Sequence, residues 1–392
     1  MTYSSCLQRV ATRRRTERRS EAEERTRLRI AIAHDYLTQR GGAERVVLAL
    51  AKMFPHATIY TTLYEPSMTY PEFEKLNVVA SGLNRIPQLR RNHRAALPLL
   101  PAAVRSLHID ADVVLCSSSG WAHAVRTTGR KVVYCYSPAR WLYQSDTYLG
   151  ESAPRWLRLA LMVAKRPLIA WDKAMAREAD TYVAISSVVR DRVRSTYGMT
   201  PAVIPAPCDD IAQREPEEVD LPPGPWRGET QPNFYLCVSR LLPYKNVHEV
   251  VGAFRNTRRN LIVVGRGPEE EALKLVAPSN VLFLKDLSEG QIAWLYQNCR
   301  GVIAASYEDF GLTPLEGATL GKPTAALRWG GFLDTIVESK TGVYFDEPTA
   351  DQISAAVDVL ETRVWSPEII RSHARKFSQE RFKESLEELL HG

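Results

Sequence analysis

No run of this chain reaches the roughly 18 consecutive apolar residues that suggest a membrane-spanning helix. Cysteine is scarce, six in 392 residues, and Cys6, Cys116, Cys135, Cys208, Cys237 and Cys299 show no close pairing. Most of them fall in apolar runs, which fits a reduced, cytoplasmic protein that uses cysteine as small core filler. No cluster of His and Cys has metal-ligand spacing, so the expected site contains neither a bound metal nor a cofactor. A secretory signal does not fit because the N-terminus lacks an apolar centre, nor does a transit peptide, because such peptides are poor in acids and this stretch carries Glu17, Glu21, Glu23 and Glu24.

With 45% hydrophobic and 24% charged residues, what is present is globular and long enough for two cores. The net charge of +6 is unevenly spread, since residues 1 to 29 hold nine Arg and only four Glu. Residues 1–28 therefore read as a disordered Arg-rich arm. From residue 29 onward, apolar β-rich runs alternate with helical patterns, as in parallel sheets built by crossovers. LRIAIAH (28–34), ADVVLCSS (111–118), KVVYCYS (131–137) and TYVAIS (181–186) form one set. FYLCVS (234–239), NLIVVG (260–265), NVLFLK (280–285), GVIAAS (301–306) and PTAAL (323–327) form another. The expected organisation is an N-terminal Rossmann-like domain at 29–205, a Pro- and acid-rich linker at 206–232, a C-terminal Rossmann-like domain at 233–375, and a final helix at 376–392. In such α/β sheets ligands bind beyond the carboxyl ends of the strands.

That rule sorts the motifs. YEDFGLTPLEGATLGKP (307–323) directly follows the strand GVIAAS. Thr313 as N-cap and Pro314 at the first position predict a helix from about 314. Its start faces Asp309, Phe310, Gly311 and Leu312, where unpaired amides and the helix dipole make an anion site. Glu308 precedes this site, and Glu316 is expected within the helix's first turn. CVSRLLPYKN (237–246) sends Arg240 and Lys245 from the first strand of the second set to the same edge. Fixed cations there would stabilise negative charge growing on a departing diphosphate. Gly41 and Gly42, in HDYLTQRGGAERVV, occupy a strand-to-helix turn that lets backbone amides approach a phosphate or hydroxyl.

With these pieces the chain resembles the family-4 retaining glycosyltransferases of the GT-B fold, and most of all bacterial mannosyltransferases of cell-surface polysaccharide assembly. The resemblance covers residues 29 to 392. Glu308 and Glu316, separated by seven residues, match the family's paired glutamates; Arg240 and Lys245 match its diphosphate motif; Gly41 and Gly42 match its N-domain turn. It implies two facing Rossmann-like domains with an interdomain cleft, and metal-independent transfer of a sugar, best guess mannose from GDP-mannose, to a glycan or lipid-linked acceptor. Glu308 would lie near the transferred sugar, Glu316 would bind the ribose, and the amides of Phe310, Gly311 and Leu312 would hold sugar or phosphate. VVGRGPEEEAL matches a turn near the base, and WGGFLDTIVESKTGVYF a glycine-rich element, with Asp334 where the family often has Glu. Where relatives carry a sugar-contacting His-Thr, Tyr136 and Ser137 stand here. These two and His123 are the candidates for sugar or acceptor contact.

Asp110-Ala111-Asp112 imitates a metal-binding DxD but precedes its strand, at the wrong end for a ligand. Gly265-Arg266-Gly267 lacks the third glycine of a dinucleotide fingerprint. Two alternatives remain, a sugar phosphorylase of the same fold and a nucleic-acid-binding protein that uses the arm. The arm holds almost all the excess charge and has no basic-aromatic module behind it, which argues against nucleic acid. From Lys75 to Ile109 there is no acid, yet Arg85, Arg90, Arg91, Arg94 and Arg105 stand among leucines. With PRWLRLALMVAKRP (154–167), that composition suits peripheral contact with an anionic membrane.

Overall fold

The computed structural model describes residues 28–143, 155–223, 226 and 233–391. The Arg-rich arm, Cys6 and part of the Pro-rich segment lie outside them. Two compact units meet in sequence at Tyr182 and Val183.

The first sheet contains β1 (Ile30–His34), β2 (Ile59–Thr61), β3 (Val78–Ala80), β5 (Val113–Ser118), β7 (Arg130–Cys135), β8 (Thr181–Ala184) and β9 (Ala202–Val203). Their order is β3-β2-β1-β5-β7-β8-β9. A separate pair joins β4 (His108–Ile109) to β6 (Arg126–Thr127). The second sheet contains β10 (Tyr235–Val238), β11 (Leu261–Val264), β12 (Val281–Leu284), β13 (Val302–Ala304), β14 (Thr324–Leu327) and β15 (Gly342–Phe345), in the order β12-β11-β10-β13-β14-β15. The pairings within each are parallel, for example Tyr235 with Leu261 and Ile30 with Val113.

Continuous apolar strands fit sheets covered on both faces. In the second unit, Tyr235, Cys237, Leu261 and Val263 pack into one buried cluster while Phe234, Leu236, Ile262 and Val264 pack into another. The period of two thus divides each strand between two cores. Ile211, Val219, Leu221 and Trp226, from the Pro-rich segment, are buried in the second of these clusters. Cys116, Cys135, Cys208, Cys237 and Cys299 are buried thiols. Burial raises the Cys116, Cys237 and Cys299 thiols to about 12, which suits filler rather than nucleophiles.

In each sheet the first strand has its successor on one side and a later strand on the other: β1 lies between β2 and β5, and β10 between β11 and β13. Loops leaving such neighbours diverge and open a crevice at the strands' carboxyl ends. The loops after β1 and β5, and those after β10 and β13, carry the residues singled out above.

Candidate donor site at the carboxyl ends of the strands

In the second unit, the loop after β10 brings Lys245 to Glu308, which follows β13. The Lys245 ammonium donates to Glu308 Oε1, and Ser306 Oγ donates to the same oxygen at 3.3 Å. Lys245 is buried, whereas the Glu308 side chain keeps 28% of its exposure. Asn246, in left-handed conformation, ends the turn and donates its amide to Ala305 O at 2.8 Å. Arg240 is exposed and donates to Tyr244 Oη at 3.0 Å, and the Tyr244 ring lies 5.0 Å from Lys245 Nζ. One tyrosine therefore links both cations.

The helix beside them spans Leu312–Thr319, so it begins two residues earlier than its sequence suggests. Gly311, at φ 93°, is the cap, and Thr313 Oγ1 donates to Val238 O at 3.4 Å instead of capping. A side chain at Gly311 would meet the Phe332 ring at 2.5 Å, so this cap excludes other residues by space and conformation alike. Glu316 consequently falls one turn beyond the helix start rather than in the first turn. It is buried and accepts from Tyr296 Oη at 2.7 Å. Burial and the Glu316 carboxylate together raise the Tyr296 phenol well above its ordinary range, keeping it a donor. The amides of Gly311, Leu312 and Thr313 open the helix, where backbone donors have no intrahelical acceptor.

Glycines lock these loops. Gly331 N donates to Glu308 O at 2.9 Å, and a Cβ at Gly331 would come within 2.2 Å of Phe310 Cα. Gly265 and Gly267 allow the Ser239 and Leu241 carbonyls to approach to where a Cβ would stand, at 1.8 and 2.1 Å. The incomplete dinucleotide motif is thus a packing surface for the Arg240 loop.

In the first unit, Gly41 caps the helix Gly42–Met53 in extended conformation. Glu44, in that helix's first turn, is 1% exposed and stands 3.8 Å from His34 Nε2. His34 Nδ1 lies 3.0 Å from both Ser117 O and Ser117 Oγ, and Tyr136 Oη lies 2.8 Å from Ser117 Oγ. Burial lowers the His34 pKa, but the hydrogen bond and charge of Glu44, with Asp35, outweigh it and raise the net value. Tyr136 also donates to Ala43 O at 3.4 Å, directly under the glycine turn. His123 is 2% exposed, with Nε2 3.2 Å from Asp172 Oδ1, while Tyr143 donates to the other Asp172 oxygen at 2.6 Å. Ser137 is 2% exposed. As placed, Tyr136 and His123 face polar partners inside the unit. Asp110 and Asp112 bind Arg29 ahead of β5, as expected for strand entry.

Sequence reasoning missed Tyr244, Ser306 and Tyr296, each of which holds one of the named charges. It also missed the pairs Arg192 with Asp309, 2.9 Å apart, and Ser187 with Asp334, 2.7 Å from the Ser187 amide. The partners are far apart in sequence, so no spacing rule announces them.

Among the described residues no group of three or more His, Cys, Asp or Glu could hold a metal ion, and no helix is long and apolar enough to cross a membrane. Residues 225–377 match the family described as glycosyl transferases group 1, and residues 40–210 match glycosyltransferase family 4. Human alpha-1,3/1,6-mannosyltransferase ALG2 is 26% identical over 387 residues, covering 88% of this chain and 92% of that protein. O-antigen chain mannosyltransferase C of Escherichia coli is 31% identical over 166 residues, a match spanning 41% of this chain and only 44% of that protein's length. Anabaena HepE, solved with UDP-glucose, superposes with a TM-score of 0.65 at 16% identity, covering 93% of this chain and 99% of that one. The two family matches together take in most of the chain and the superposition gives the fold: the chain belongs to the family-4 glycosyltransferases and has the GT-B fold.

Proposed function

We propose that this enzyme transfers mannose from GDP-mannose, with retention of configuration and without a bound metal, to a glycan or lipid-linked acceptor. The observation that carries the reading is the Lys245–Glu308 pair beside the amino end of the helix Leu312–Thr319, with Glu316 one turn on. As the bond from the sugar to the diphosphate lengthens, charge grows on the leaving oxygens. Arg240, Lys245 and the helix amides are preorganised to receive it. Glu308, released from Lys245 when the diphosphate arrives, faces the sugar. Glu316 takes the ribose hydroxyls, the amides of Phe310, Gly311 and Leu312 hold sugar or phosphate, and the Gly41–Gly42 turn presents bare backbone to the donor. Tyr136, Ser137 and His123 support the first unit's loops. The names of the E. coli and human relatives favour mannose.

A thermal-shift screen of GDP, UDP, ADP and their sugars tests the donor, because a ligand at 100 times its Kd adds about 2.7 kcal/mol. Stabilisation by GDP and GDP-mannose is expected; a response to UDP alone overturns the donor assignment. Proton NMR of fresh product, with and without EDTA, tests the chemistry. A β-linked product from the α-linked donor, or loss of turnover in EDTA, rejects it.

Contact with an anionic membrane through the first unit extends this reading. Arg85 and Arg91 are exposed beside Ile86 and Leu99, which are 44% and 47% exposed. Leu97, Leu100, Val104 and Leu107 instead face the core, and Arg90 and Arg105 are paired with Glu65 and Glu178, so the patch is smaller than the acid-free run. Salt-sensitive sedimentation of protein lacking residues 1–28 with anionic but not neutral liposomes is expected; equal pelleting with both refutes it.

A further inference from the structure

One helix of the second unit, Ser187–Tyr197, meets the loop that carries Glu308 at two points and the neighbouring 330–334 turn at a third. Its cap, Ser186, is fully buried; the hydroxyl accepts from Val189 N at 3.3 Å and donates to Asp309 O at 2.5 Å. Arg192 Nη1 meets Asp309 Oδ1 at 2.9 Å, with the side chains 13% and 6% exposed. Asp334 Oδ2 accepts from both the amide and the hydroxyl of Ser187, at 2.7 and 3.0 Å. A carboxylate over a helix's first turn is favoured by the dipole as well as by the hydrogen bonds.

Asp334 is bound to the same loop from behind. Its amide donates to Gly331 O at 3.1 Å, and Gly331 donates in turn to Glu308 O at 2.9 Å. Phe332, two residues before Asp334, packs its ring where a Gly311 side chain would be. The segment Glu308–Leu312 is therefore held between the 330–334 turn and the helix, and Asp309 and Asp334 are the two acids through which the helix holds it.

We propose that Asp309 and Asp334 are positioning residues, which use the amino-terminal turns of the helix Ser187–Tyr197 to fix the Glu308 carboxylate and the amides of residues 310–312 in the geometry that sugar transfer requires. The inference rests on reading that loop as the donor-sugar site. Neither acid needs to touch substrate. Glu308 and the amides must be placed within a fraction of an ångström, and a displacement of about 1 Å can cost about a hundredfold in rate. Arg240, Lys245 and Glu316, which serve the nucleoside diphosphate in this reading, are held by other groups: Tyr244, Glu308 and Tyr296.

Asp334→Ala, Asp334→Glu, Arg192→Met and wild type are compared in four measurements on the full chain: melting temperature, GDP affinity, steady-state kinetics with GDP-mannose, and hydrogen–deuterium exchange of residues 308–312. Loss of an anchoring cap of this kind corresponds to about tenfold in an equilibrium. The expectation is faster exchange in the loop and kcat about tenfold lower for Asp334→Ala and Arg192→Met, with GDP affinity nearly unchanged. Asp334→Glu, which keeps the carboxylate, should restore most of both. Loop exchange as slow as wild type in Asp334→Ala overturns the proposal, whatever the catalytic result. So does a loss of GDP affinity in step with kcat and melting temperature, which would mark a purely structural role. If the loop loosens as expected but wild type turns over no nucleotide sugar, the functional reading fails and the brace stands.

Discussion

Removing the two members of the Lys245–Glu308 pair should have unequal consequences for stability and similar ones for turnover. Glu308→Gln strands an ammonium that is 7% exposed, with the Tyr244 ring 5.0 Å away as its remaining favourable neighbour. Breaking a fully buried pair this way costs about 3–5 kcal/mol. The Glu308 side chain is 28% exposed, so water screens part of the interaction and about 2 kcal/mol is expected. Lys245→Met puts an apolar chain of similar length in the buried position and leaves a carboxylate that keeps Ser306 and reaches solvent, a cost of about 0–1 kcal/mol. At about 2–4 °C per kcal/mol for a unit of this size, Glu308→Gln should melt about 4–8 °C below wild type and Lys245→Met within about 4 °C. The double variant should recover most of the loss, because neither charge remains. Turnover should not recover: each variant should lower kcat by about 10². Differential scanning calorimetry with single-turnover kinetics decides the matter. If Lys245→Met melts lower than Glu308→Gln, or the double variant is no more stable than Glu308→Gln, the pair does not have the asymmetry argued here.

Gly330→Ala should cost about 2–4 kcal/mol and most activity, since φ is 59° and its Cβ would stand 2.2 Å from Glu308 O; a wild-type melting temperature would refute this. His34 has a raised pKa, so its pairing with Glu44 adds stability that is fully present below about pH 6.5 and fades as pH rises through the folded value. Wild type should therefore lose more melting temperature than Glu44→Gln between pH 6 and 9, and parallel curves would refute the pairing. Arg240→Ala should lower kcat by about 10² with an unchanged melting temperature, because the side chain is exposed and hydrogen-bonds Tyr244; near-normal turnover would remove it from the leaving-group site. Deleting residues 1–28 should leave melting temperature and transfer unchanged, and a drop of several degrees would show that the arm docks.

How much could be read in advance followed the range of the physics involved. Strands such as Leu261–Val264 announce themselves because covering both faces demands an unbroken apolar run. Ile59–Thr61, Val78–Ala80 and Gly342–Phe345 are three or four residues long and carry too little pattern to be separated from loops. The location of Glu308, Arg240 and Lys245 was legible because strand ends and charge are local properties. The helix start was misplaced for a local reason: Thr313 has the chemistry of a cap, but Gly311 already adopts the turn against Phe332. Partners such as Tyr296 for Glu316 and Arg192 for Asp309 had no signature, since tertiary packing alone brings them together. The leucines at 97 to 107 illustrate a different limit, because composition cannot tell a membrane face from a core face until the short helices are placed.

Glycine has two different uses in this chain, and the difference bears on where ligands belong. At Gly265, Gly267, Gly330 and Gly331, an added Cβ would strike backbone of the same unit at 1.8 to 2.2 Å. Backbone cannot move aside cheaply, so these residues are fixed by the protein's own packing. Their effect is to press the loops bearing Arg240 and Glu308 against neighbouring segments. A charge on such a loop cannot relax away from its place, and electrostatic stabilisation depends on that lack of relaxation. Gly41 differs. Its φ is −139°, which any residue adopts, and an added Cβ would meet only the end of the Glu44 side chain, at 2.6 Å. Little in the fold itself requires glycine there. A requirement for bare backbone at Gly41 then has to come from outside the fold, from something that approaches the amino end of the helix Gly42–Met53, and this is the physical ground for giving that turn to a substrate.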